Sequence, residues 1–246
     1  MTRTIKTIGL ILLIATTKIA IGQTTFNYKD DFQKVLAKTK DKNDNLSYNK
    51  LLKRFSVNDS TLTNFEVLVL LIGFTAQPEF KPYKDLATER KIYAINGDGK
   101  FRDALDSANL FLKTHPLSVK VLFEKAYSFH KLGQEDSAAF YSYKGRRIFK
   151  AMTFSGNGKS PETAIFSLGP ADGQDYIYKA IGSNIGIMGS GRDQNGNFLD
   201  ILEVAPEDGS TSYRLYFIIQ HATATMFTED ELKMFDKQDK KKKKNR

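Results

Sequence analysis

The chain has 246 residues, 41% of them hydrophobic, with no cysteine and a formal net charge of +9. Three of its 37 basic residues lie in residues 1–22, and seven lie with one acid in residues 237–246, so the remaining body carries 27 of each sign. That neutrality excludes a globular nucleic-acid binder, whose folded surface needs a cation for each phosphate it contacts; the missing cysteine excludes disulfides, thiolate zinc sites, thiol nucleophiles and lipoprotein acylation.

At the N-terminus Arg3 and Lys6 precede an apolar run from Ile8 to Ala15, and Ala20-Ile21-Gly22 sets small residues before Gln23. This is the three-part arrangement of a secretory signal peptide cleaved near Gly22. Lys18 interrupts the apolar stretch well short of the ~20 residues a spanning helix needs. The expectation is an exported chain, periplasmic or extracellular, that is not an integral membrane protein and is held by packing alone.

Apolar residues then recur at helical spacing from Asp30 to Thr39 and from Leu46 to Phe55. Thr63 followed by Glu66 fits a capping box, in which the hydroxyl accepts from one free amide and the carboxylate reaches back to another. The helix this opens, Phe65 to Phe74, is apolar almost all round and reads as a central core element. Gly73 and the Gln77-Pro78 and Lys81-Pro82 steps are expected to end it in an extended connection.

Between Leu86 and Met152 the chain partly repeats itself. Tyr93 matches Tyr127, Gly99 matches Gly133 and Ala104 matches Ala138, each pair 34 residues apart. Thirty-four is the period of the tetratricopeptide helix hairpin, whose turn contains glycine and whose small residues let two helices approach. These six residues are the predicted hairpin-packing positions. Phe111 and Gly145 depart from the pattern, and two units are too few to stand alone, so they should lean on the rest of the chain. An ordinary antiparallel bundle is the alternative.

After Met152 the period changes. Ala164 to Leu168, Phe198 to Val204 and Tyr213 to Gln220 read as strands, with a turn at Pro206-Glu207-Asp208-Gly209, and Tyr176 to Ile181 and Glu229 to Lys237 as short helices. The predicted class is α+β: an N-terminal helical bundle with about two hairpins, then a small antiparallel sheet region. The expected division is a signal peptide 1–22, a helical region 23–152 with hairpins from about 86, a small α+β region 153–236 and a Lys-rich tail 237–246.

Few residues look like chemistry. Gly156-Asn157-Gly158-Lys159-Ser160 resembles a phosphate loop, but Thr153 stands where its first glycine belongs and Pro161 follows at once, so a linker turn explains it better. Gly182, Gly186, Gly189 and Gly191 miss the dinucleotide spacing and are expected to serve a loop with positive φ. Asp193, Asn195, Asn197 and Asp200 offer alternating oxygens as a calcium loop does, yet glycine falls at the fourth place and no glutamate at the twelfth. A hairpin turn accounts for the same residues. His115, His130 and His221 show no metal-ligand spacing, and no cofactor is expected. Paired carboxylates are not visible in sequence, which leaves Glu162, Asp172, Asp175 and Asp200 as unranked candidates for a glycan hydrolase. The tail with Lys240 to Lys244 unbroken is either solvated or a weak contact for anionic surfaces.

Several phrases together resemble one family: Leu52-Lys53-Arg54-Phe55 with Asp59-Ser60-Thr61-Leu62-Thr63, Gly73-Phe74-Thr75-Ala76-Gln77-Pro78, Lys125-Ala126-Tyr127 with His130-Lys131-Leu132-Gly133, and Ser155-Gly156-Asn157-Gly158-Lys159-Ser160-Pro161-Glu162. They are similar to the secreted Bacteroidetes proteins grouped as domain of unknown function family 4919. The resemblance implies an exported protein with a tetratricopeptide-like first half and brings no site residues. The expected role is a non-enzymatic module of the cell envelope that binds a protein or peptide, with the envelope glycan hydrolase as the alternative.

Overall fold

A computed structural model describes residues 26–226. The signal segment, the helix expected at Glu229 to Lys237 and the Lys-rich tail lie outside the described residues. Seven helices come first: α1 (Tyr28–Lys40), α2 (Tyr48–Ser56), α3 (Asn64–Phe74), α4 (Pro82–Gly97), α5 (Phe101–Leu112), α6 (Val119–Lys131) and α7 (Glu135–Ser155). Their starts follow local chemistry. The Asn27 side chain accepts from Asp30 N at the head of α1, and Ser118 accepts from Val121 N at the head of α6. The capping box of α3 is complete: Glu66 N donates to Thr63 Oγ1 at 3.1 Å and Thr63 N donates to Glu66 Oε2 at 2.7 Å. Arg54 joins it by donating to Asp59 and Glu66, so the α2–α3 turn is held on both sides.

α3 is the centre of the core. Every residue from Val67 to Phe74 is buried, and each Val, Leu or Ile there contributes ~2 kcal/mol of gross apolar burial. The α3–α4 connection is not extended, as the two X-Pro steps suggested. It closes in successive turns, and Pro82 opens α4 at its first position, where a missing N–H costs nothing.

α4 with α5 and α6 with α7 form two consecutive helix hairpins. Gly99 and Gly133 stand in the two turns at φ +76 and +73, a left-handed conformation only glycine adopts freely, so the 34-residue echo marks equivalent corners. Ala104 and Ala138 are buried where the helices approach. Tyr93 and Tyr127 are not packing residues in the same sense: Tyr93 is 62% exposed and Tyr127 44%, its ring edge-on to Phe101. Both rings stand at the edge of a buried helix face, beside Ile92 on α4 and Ala126 on α6.

The second half is a four-stranded sheet with order β1-β4-β3-β2, built from β1 (Ile165–Phe166), β2 (Asn184–Arg192), β3 (Phe198–Ala205) and β4 (Tyr213–Ile218). β2, β3 and β4 are antiparallel neighbours, with Leu202 opposite Leu215, while β1 joins β4 in parallel, making the sheet mixed. β2 corrects the reading of the glycine-rich stretch as a loop. Gly186, Gly189 and Gly191 lie in an exposed edge strand, and of the four glycines only Gly182 takes positive φ. The short helix expected at Tyr176 begins earlier, as α8 (Asp172–Tyr176), and runs on as a π-turn from Ile177 to Ile181; α9 (Gln220–Thr223) follows the sheet. A single cluster of buried side chains runs from Phe32 through α3 and α7 to Phe217 and Ala222, so sheet and helices share one core. A smaller cluster of Ile92, Ala108, Phe111 and Val121 fills the first hairpin.

Candidate functional site

The strongest concentration of ionisable groups lies where the hairpins meet the loop before α8. On α4, Glu89, Ile92 and Asn96 recur on one helical face and all are buried. Asn96 donates to Glu124 Oε2 at 3.0 Å and accepts from Ser128 Oγ at 2.7 Å, which ties α4 to α6. Glu89 accepts from Ser118 Oγ at 2.6 Å. From the other half, Asp172 Oδ2 accepts from Gly169 N at 3.1 Å. Behind it Asp175 pairs with Lys120 at 3.1 Å and with Lys179 at 3.2 Å, and Lys179 also reaches Glu124 at 3.7 Å.

Asp85, Glu89, His115, Ser118 and Asp172 open onto one cavity of ≈ 40 Å³ whose walls are apolar, among them Phe74, Phe80, Phe111, Leu117 and Leu168. His115 stacks on Phe111 at 4.2 Å, and its Nε2 lies 3.4 Å from Asp85 Oδ1. Burial opposes charge on this imidazole, but the hydrogen bond and charge of Asp85 prevail and hold its pKa above the usual histidine value. Glu89 is pushed up by burial, against the Ser118 hydrogen bond, with the charges of Asp175 and Asp85 adding to the rise. Asp172 is pushed up to about 8, first by burial of its carboxyl and then by the charges of Glu89 and Asp175. The pocket thus holds carboxyl groups in excess of the cations that face them, and Asp172 keeps its proton at neutral pH.

Of the carboxylates singled out in sequence, the structure brings Asp172 and Asp175 together on α8. Glu162 sits on a 3₁₀ turn beside a hollow of ≈ 250 Å³ that Asp193 and Asn195 also line. Asp200 lies within β3 opposite Phe217, its pKa pushed up to about 6 by burial. Asp193 closes the β2–β3 hairpin by accepting from Asn195 N, Asn197 N and Asn197 Nδ2, each at 2.8 Å. Those bonds turn the Asp193 carboxylate toward its own hairpin. Among the described residues no three His, Asp or Glu gather as a metal site. The phosphate-loop likeness ends in internal bonds, since Gly158 N donates to Thr163 O and Gly158 O accepts from Tyr216 N of β4.

The histidines part company. His130 pairs with Glu135 on the surface. His221 is buried against Phe166, ring to ring at 4.4 Å; its Nε2 lies 2.7 Å from Ser167 O and so carries the proton, while Nδ1 accepts from Tyr28 OH. Burial pushes its pKa down to about 3, the state of a neutral core histidine. Sequence reading left out Asp85, Glu89 and His115 as site residues. The available signal was Glu89 and Asn96 on the face of Ile92, polar residues placed where an amphipathic helix puts its core.

The fold and pocket define an α+β protein with two helix hairpins and an acid-lined cavity at their junction with a small sheet. Among the described residues no helix is long and apolar enough to cross a membrane. The chain belongs to the family described as Domain of unknown function (DUF4919), whose model matches residues 33–226. No curated protein and no solved structure matches it.

Proposed function

We propose that this is an exported, non-enzymatic binding protein of the cell envelope that engages a peptide or protein through a basic side chain seated in the junction pocket. The observation that carries this reading is the set of three carboxyl groups, Asp85, Glu89 and Asp172, around one apolar-walled cavity in whose lining the His115 imidazole is the counter-charge. A space of ≈ 40 Å³ takes two or three water-sized groups, enough for an ammonium head whose aliphatic stem lies on the walls. Binding of that cation ionises Asp172, so association releases a proton. The tetratricopeptide-like hairpins act as the frame, and the Lys-rich tail adds a weak contact with anionic surfaces.

The hydrolase alternative has less support, because the cavity is too small for a sugar ring and Glu162 and Asp200 stand on other elements. The test is an NMR titration of the full-length chain with the tripeptides Ala-Lys-Ala and Ala-Glu-Ala. The lysine peptide should shift pocket amides, with proton uptake by buffer seen in calorimetry, and the double variant Glu89→Gln, Asp172→Asn should weaken it at least tenfold. Equal responses to both peptides, or none at millimolar concentration, overturn the reading.

A further inference from the structure

Two lysines that do not line the acidic pocket are buried side by side. Lys144 on α7 is 7% exposed and Lys125 on α6 is 6% exposed. Lys144 Nζ donates to Ser56 O at 2.7 Å, the last carbonyl of α2, and lies 5.3 Å from the Phe55 ring and 4.8 Å from the Phe140 ring. Lys125 Nζ lies 3.9 Å from the Tyr141 ring and 5.9 Å from that of Phe129, with no hydrogen-bond acceptor among the described residues. No described carboxylate forms an ion pair with either lysine. Burial first, and then the charge of Lys125, push the Lys144 pKa down to about 8.

A lysine is almost never buried without a counter-charge, because its ammonium loses hydration that only an anion or several acceptors replace. Here two cations repel each other in one place. The four aromatic faces recover part of the lost hydration. Two ammonium groups have six N–H donors, and Ser56 O accepts one. What completes this site is a group with negative charge and several oxygen lone pairs. Lys125 Nζ is not sealed from solvent, Phe140 is itself 37% exposed, and Asn58 Nδ2 donates to Phe140 O at 3.0 Å, which ties the α2–α3 loop to α7.

We propose that Lys125 and Lys144 form a binding site for an oxyanion, a carboxylate or phosphate group, among the aromatic rings between the end of α2 and the second hairpin. The site is independent of the acidic pocket and stands or falls without it.

The test follows the lysine Cε and Hε resonances of the full-length chain through a pH titration in chloride, inorganic phosphate or acetate at equal ionic strength. In phosphate the Lys144 midpoint should rise from about 8 in chloride to about 9 or above, the displacement produced by a tenfold preference of the anion for the charged amine. A response to acetate as well assigns any oxyanion; a response to phosphate alone assigns phosphate. Lys125→Met keeps the Ser56 contact, so it tests the site without loosening α2. It should raise the Lys144 midpoint in chloride, by removing the neighbouring charge, and abolish the anion response, which Lys125→Arg should restore. A Lys144 midpoint equal in all three salts, or an anion response unchanged in Lys125→Met, overturns the proposal.

Discussion

Asp172→Asn tests the electrostatics of the junction pocket directly. The Asp172 carboxyl titrates at its ordinary 3.8 when the chain is unfolded and at about 8 in the fold, so between those values the folded state holds a proton that the unfolded state has released. Stability from this group is therefore fully present below about pH 4 and is lost as pH rises through 8, at ~1.4 kcal/mol for each pH unit in between. From pH 5 to pH 8 the loss is about 4 kcal/mol in the wild type, and asparagine carries none of it. The asparagine oxygen can still accept from Gly169 N, so any loss of fit is a constant offset that the comparison removes. Urea unfolding at pH 5, 6.5 and 8 gives both stabilities by linear extrapolation. The variant should gain on the wild type by about 4 kcal/mol across the series. A difference that stays flat within about 1 kcal/mol refutes the buried, proton-holding state of Asp172.

Two further outcomes follow from packing. His221, pushed down to about 3 from 6.5, contributes stability that is present above about pH 6.5 and lost as pH falls, about 3 kcal/mol between pH 7 and pH 4. His221→Phe keeps a ring against Phe166 but leaves Ser167 O without its donor. It should cost ~1–3 kcal/mol at pH 7 and close that gap at pH 4, and a gap independent of pH in thermal unfolding argues against the neutral core histidine. Gly145→Ala should lower the melting temperature, because its Cβ would lie 2.5 Å from Phe123 Cε2 and disturb the Phe123–Phe149 stack. The ~1 kcal/mol gained in helix propensity is outweighed by ~1–3 kcal/mol of overpacking, so a raised melting temperature would show that Phe123 moves freely.

Signals confined to one turn of chain were legible before the fold was seen. Thr63 and Glu66 announced the α3 cap, the all-round apolar run Val67 to Ile72 announced the core helix, and Gly99 and Gly133 announced matching corners. β2 was missed for an equally local reason. A strand is recognised by alternating side chains, and Gly186, Gly189 and Gly191 have none to alternate; what holds β2 in place is pairing with β3, which lies later in the chain. The turn at Asp193 reads both as a calcium loop and as a hairpin; in the fold it joins β2 to β3, with the Asn195 and Asn197 amides donating to Asp193.

Amino-acid order alone settled the change from helical to strand period near residue 153 and the neutral charge of the body, because periodicity and composition are properties of the chain itself. Which ionisable groups meet was decided by tertiary structure. Asp172 faces Glu89 across more than eighty residues, and Lys125 faces Lys144 across a hairpin. Their proton affinities depend on burial and on charges a few ångströms away, and those distances come into being only when the helices pack.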